Sequence, residues 1–111
     1  MTQVNFNKKQ LAGIVSDAEF RELVHETYKQ AQIQREFSQQ RIESGLIALY
    51  RAMLEKSYRY IESNQRHLAF DLVRPCQIKN QILIAAQLGL SLNPDEKEVY
   101  FETELGGGGD L

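Results

Sequence analysis

The chain has 111 residues, 42% of them hydrophobic and 25% charged, which suits one small globular domain and excludes both a wholly disordered chain and a two-domain protein. Thirteen Lys and Arg stand against fifteen Asp and Glu, a net charge of −2 that excludes a general polyanion binder. A single cysteine, Cys76, excludes an internal disulfide. Neither an apolar leader nor a run long enough to cross a membrane is legible, so the cytoplasm is the expected location.

Residues 1–15 show no clear period and read as an irregular N-terminus from which Phe6, Leu11, Ile14 and Val15 dock singly. Ser16 and Glu19 have the spacing of a capping box, with Val15 and Phe20 at staple positions, so a helix is expected from Ser16. Its apolar stripe is Phe20, Leu23, Val24, Tyr28 and Ala31. With no Gly or Pro between Ser16 and Gly45, one long or kinked helix is compatible with this region. Ile42, Leu46, Leu49, Tyr50, Met53, Tyr60 and Ile61 recur at three- and four-residue steps and predict an amphipathic helix over 42–67. Arg51, Glu55, Arg59, Glu62 and Arg66 form an opposite-charge ladder on its other face. Asp71, in the apolar link LAFDLV, is read as a local cap or surface residue.

Pro75 opens the next helix, since the first turn needs no N–H and Arg74 before a proline is biased to extended geometry. Ile78, Ile82, Ala85 and Ala86 share its inner face. Gly89 fits a left-handed stop with Leu90 folding back on the last turn. Asn93-Pro94 marks a turn, and Glu98–Thr103 reads as a strand, with Tyr100 facing opposite Val99 and Phe101. Residues 104–111 form a flexible glycine-rich tail. The fold class expected is mainly α: three or so amphipathic helices and one short β-strand, in a single domain over 16–103. An unpaired strand edge seeks a partner, so self-association is expected.

No nucleophile, base and oxyanion donor stand together, and His25 and His67 have no metal-ligand spacing. An enzyme, a metal, a cofactor and a small-molecule substrate are therefore not expected. Charge is uneven along the chain. Arg41, Arg51, Lys56, Arg59, Arg66, Arg74 and Lys79 outnumber Glu43, Glu55, Glu62 and Asp71 in the middle, whereas Asp95 to the end holds six acidic residues and one lysine, Lys97. Arg74, Lys79 and Lys97 fall outside the ladder and flank the helix–turn–strand unit. They are the candidate phosphate contacts if nucleic acid binds.

The run ILIAAQLGLSLNPDEKEVYF, with its lead-in NQRHLAFDLVRPCQIKNQIL, resembles the signature of the RecT and Red-beta kind of phage single-strand annealing proteins. The residues that carry it are Pro75, Ala85, Ala86, Gln87, Leu88, Gly89, Leu90, Asn93, Pro94, Lys97, Glu98 and Tyr100. The resemblance covers about 68–101 and is only architectural over 16–67. It implies ATP-independent annealing of complementary single strands by a homo-oligomeric ring or filament in a bacterial or phage-infected cell. Single-stranded DNA would be the partner, its phosphates held and its bases left free to pair. Members of that family are longer, so the chain is read as an N-terminal portion whose acidic end would repel phosphates. The alternative is a small self-associating helical interaction or regulatory protein with no DNA activity.

Overall fold

The computed structural model describes residues 7–31, 37–99 and 101, and these are mainly helical. Four α-helices follow in order: α1 Lys8–Ser16, α2 Ala18–Gln30, α3 Gln39–Glu62 and α4 Pro75–Gln87. Two 3-10 turns, Arg66–Leu68 and Phe70–Leu72, form the elbow between α3 and α4, and a third, Pro94–Glu96, follows α4.

Helix α1 lies within the stretch that has no evident period. Its cap is Asn7, whose Oδ1 accepts the Gln10 N–H at 3.1 Å, and Leu11 and Ile14 are fully buried one turn apart. At nine residues α1 is too short to persist alone, so packing against α2, α3 and α4 holds it. The capping box expected at Ser16 does not form. Ser16 is the last residue of α1, and Asp17 caps α2 by accepting the Glu19 and Phe20 N–H groups at 3.1 and 3.2 Å. A carboxylate there also favours the positive end of the helix dipole.

Phe20, Val24 and Tyr28 bury the inner stripe of α2, whereas Leu23, expected in that stripe, is 50% exposed. The helix stops at Gln30 and Ser38 caps α3 anew, so the single long helix is not formed. In α3, Ile42, Leu46, Leu49 and Met53 face the core as their spacing requires. The helix ends at Glu62, short of the expected 67, because Asn64 takes a left-handed conformation at φ 66°. Gly45 lets α3 approach the chain beyond α4: a Cβ there would stand 3.3 Å from Leu92 Cβ and 3.4 Å from the Asn93 nitrogen.

Helix α4 matches its sequence closely. Arg74 is extended at φ −62°, ψ 134° and Pro75 takes the first helical position. Ile78, Ile82, Ala85 and Ala86 are buried. Gly89 (φ 70°) donates to the Ala86 carbonyl and Leu90 to the Ala85 carbonyl, both at 3.0 Å, which completes the Schellman motif. Helices α2 and α4 run parallel. Lys79 meets Asp17 at their starts and the Tyr28 hydroxyl donates to the Leu90 carbonyl at their ends, both pairs 62 residues apart. Asn93 then caps the next turn by accepting the Asp95 N–H at 3.0 Å, with Pro94 behind it.

The strand expected over 98–103 is not present among the described residues. Glu98, Val99 and Phe101 join no ladder, because no described segment offers an extended edge to pair with. Val99 and Phe101 instead lie half-buried against the helical core. Tyr100 and the tail 104–111 lie outside the described residues.

Two glycines test these assignments in opposite directions. Gly89→Ala should lower stability by about 1 kcal/mol through its left-handed backbone, although nothing stands within 4 Å of the new Cβ. Gly13→Ala, exposed within α1 and equally unobstructed, should raise stability by about 0.5–1 kcal/mol. Urea denaturation of both variants reads out the signs.

Candidate nucleic-acid interface

The three cations singled out from sequence have different surroundings. Arg74 is exposed at the cap of α4. Lys97 is exposed in a left-handed turn, φ 57°. Neither pairs with a carboxylate among the described residues. Lys79 is different: its Nζ donates to Asp17 Oδ2 at 2.9 Å and lies 5.3 Å from the centre of the Phe20 ring. The Lys79 hydrogen bond, helped by the Phe20 N–H, holds the Asp17 carboxyl below its ordinary range. Lys79 therefore ties α4 to the start of α2. The three do not form one patch, since Lys97 belongs to the turn that packs on α3 while Arg74 and Lys79 sit in the first half of α4.

Lys97 lines a cleft of about 1000 Å³ between α3 and the 94–101 segment. Its walls are largely apolar, with Met53, Phe70, Val99 and Phe101, and Tyr60 on the α3 side. Lys56, Arg59 and Lys97 stand at this cleft with Glu55, Asp95 and Glu98, so its ionisable groups cancel in formal charge. Arg59 reaches Glu55 at 3.6 Å across a well-exposed pair, the solvated ladder read from the sequence, and such pairs are worth about 0–1 kcal/mol. Lys56 Nζ donates to the Phe101 carbonyl at 3.3 Å and Glu98 Oε1 accepts the Ser91 N–H at 2.9 Å. The cleft is thus neutral overall, and the sequence signal missed there was Lys56 and Tyr60 on the face of α3 that meets the returning chain.

The strongest electrostatic feature is elsewhere. Asp71, read from sequence as a cap or surface residue, is 7% exposed. Arg66 donates two hydrogen bonds to its two oxygens, both at 2.8 Å, and the Asn7 N–H donates to Oδ2 at 2.8 Å. Burial pushes the Asp71 carboxyl up, but the Arg66 guanidinium and the Asn7 N–H outweigh it and hold it below its ordinary value. The same hydrogen bonds hold Arg66 more firmly protonated. Arg66 thus belongs to this pair and leaves the ladder short of its last rung.

Glu43 on α3 faces Arg21 at 3.4 Å and His25 Nε2 at 3.3 Å, joining α3 to α2. That nitrogen is buried and lacks hydrogen-bond geometry toward any partner, so Glu43 acts on it as an electrostatic neighbour. Cys76 is free and exposed. Among the described residues no three His, Cys, Asp or Glu side chains come together as metal ligands. Among them, too, no helix is long and apolar enough to cross a membrane. No protein-family model, curated protein or solved structure matches the chain.

Asp71→Asn should cost about 1.5–2 kcal/mol, because the Arg66 guanidinium loses its countercharge but, at 32% exposure, stays hydrated. The sign of the pH dependence follows from the depressed folded-state value. The stabilisation is complete above the unfolded carboxylate value near about 4 and is lost as pH falls from there through the folded value. Acid titration of stability by circular dichroism should show a shallower limb for Asp71→Asn than for the parent protein.

Proposed function

We propose that the chain is the N-terminal, oligomer-forming part of a single-strand DNA annealing protein of the RecT and Red-beta kind, acting without ATP in the cytoplasm of a bacterial or phage-infected cell. The observation that carries this reading is the unit Pro75–Phe101. Its Ala85-Ala86 packing face, Gly89 stop and Asn93-Pro94 turn stand in the order the family resemblance requires. In this reading the protein contributes electrostatics and geometry, with no bond chemistry: cations take the place of counterions along the phosphates and the bases stay free to pair. Arg74 and Lys97 are the contacts, because their charge is directed to solvent. Lys79 is a positioning residue, because Asp17 occupies it. The 98–103 segment becomes a strand when a further strand, from a longer chain or a second copy, supplies its ladder.

The neutral cleft favours a second reading, a self-associating helical interaction or regulatory protein without DNA activity. Phosphate binding gains nothing from a site whose acidic groups equal its basic ones.

Fluorescence anisotropy with a labelled single-stranded oligonucleotide separates the two. The annealing reading expects binding that weakens steeply between about 50 and about 200 mM salt. Arg74→Ala and Lys97→Ala should each flatten the logarithmic salt slope by about 1, and Lys79→Ala should lower thermal stability with the slope unchanged. Absence of binding at the lower salt concentration would exclude the annealing reading for this chain and leave the second.

A further inference from the structure

From Pro75 to Pro94 the chain holds one charged residue, Lys79, and that charge is turned inward to Asp17. Beyond the exposed N-cap Arg74, the exposed positions of α4 and its C-cap are Cys76, Gln77, Asn80, Ile84, Gln87 and Leu88, none of which carries a charge at neutral pH. Ile84 is 46% exposed and Leu88, one turn further on, 67% exposed. The other long helices differ. Glu19, Glu22, Glu26 and Lys29 stud the exposed side of α2, and Arg51, Glu55, Arg59 and Glu62 that of α3. One helix face in a chain that is one-quarter charged is therefore neutral, with two apolar side chains aligned on it and amides beside them.

We propose that this face of α4 is a docking surface for α4 of a second copy of the same chain. A charged partner would bury its charge here without a countercharge, which is costly. The surface that matches a neutral face is another neutral face, and the chain's own α4 is one. A two-fold axis running along this face sets the two α4 helices parallel, with Ile84 and Leu88 of one copy against those of the other. Gln77 and Asn80 carry both donors and acceptors, so their amides satisfy one another across the axis. This surface is distinct from the cleft at α3 and from the 98–103 segment. It rests on the self-association in the proposed function and is independent of DNA binding.

Sedimentation equilibrium of the full chain over a range of concentrations tests it, with Ile84→Lys, Leu88→Lys and, as a control on α2, Leu23→Lys. Each α4 substitution enters a two-fold interface twice, so like charges meet across the axis. The expected result is a dimer in the parent chain whose dissociation constant rises at least about tenfold in either α4 variant and is unchanged in Leu23→Lys, with far-UV circular dichroism equal in all four. Because Leu88 is the more exposed and a lysine suits a helix C-terminus, Leu88→Lys keeps the test valid if Ile84→Lys loses helicity. A parent chain that stays monomeric at the highest concentration overturns the proposal. A parent dimer that both α4 variants preserve overturns it too, and leaves self-association to another surface. Loss of the dimer in the α4 variants of a chain that binds no oligonucleotide would uphold this interface while the annealing reading falls.

Discussion

Asp71 is the residue on which the arrangement of the helices depends. Its carboxylate is taken from water and given three hydrogen bonds, two from Arg66 and one from the Asn7 N–H. Arg66 is close in sequence, but Asn7 is 64 residues away, so this one carboxylate joins a local ion pair to a distant helix start. Gln10 reinforces the contact: its amide donates to the carbonyls of Asp71 and Val73 at 2.7 and 3.0 Å. Together these bonds fasten the start of α1 to the elbow between α3 and α4. Ser57, fully buried on α3, accepts the Phe70 N–H at 2.9 Å and fastens the other side of the same elbow. Backbone groups that a short, irregular link would leave without partners are satisfied by side chains from two helices.

With the elbow held, α4 is aimed along α2. The Lys79–Asp17 and Tyr28–Leu90 contacts keep the two helices parallel over their length. Gly45 then admits the chain at Leu92 close to α3, and Glu98 and Ser91 fold the following loop back on itself by accepting the Ser91 and Asn93 N–H groups. Function is constrained by how these contacts distribute charge. Arg66 and Lys79 serve the fold, Arg59 is balanced by Glu55, and Arg74 and Lys97 are turned outward. Beyond Arg74, the outer surface of α4 carries no charge.

The parts of the fold that are legible in the sequence are those whose determinants lie within a few residues of one another. The α4 unit is the clearest case, since Pro75, the Ile78-Ile82-Ala85-Ala86 face, Gly89 and Asn93-Pro94 each act on backbone no more than about one turn away. The buried stripe of α3 follows from its period in the same way. Helix α1 is less legible because only two of its positions, Leu11 and Ile14, are buried, too few to show a period, although Asn7 and Gln10 have the spacing of a cap. The end of α3 turned on a single left-handed asparagine, and the cap of α2 on a choice between adjacent Ser16 and Asp17 that the Lys79 contact favours. Of the candidate site, the exposure of Arg74 and Lys97 agrees with their place outside the charge ladder. Nothing in the spacing showed that Lys79 is occupied.

By itself, then, the sequence determined a mainly helical chain, the α3 and α4 core faces, the glycine stop and the Asn-Pro turn, because each is a local matter of backbone geometry and helical period. Tertiary structure alone decided that Asp71 is buried against Asn7, 64 residues away, that Lys79 meets Asp17, that Leu23 stays in solvent and that residues 98–99 and 101 form no ladder. Each of these depends on what a distant segment brings to the same place. Residue type and spacing carry no record of that until the helices have packed.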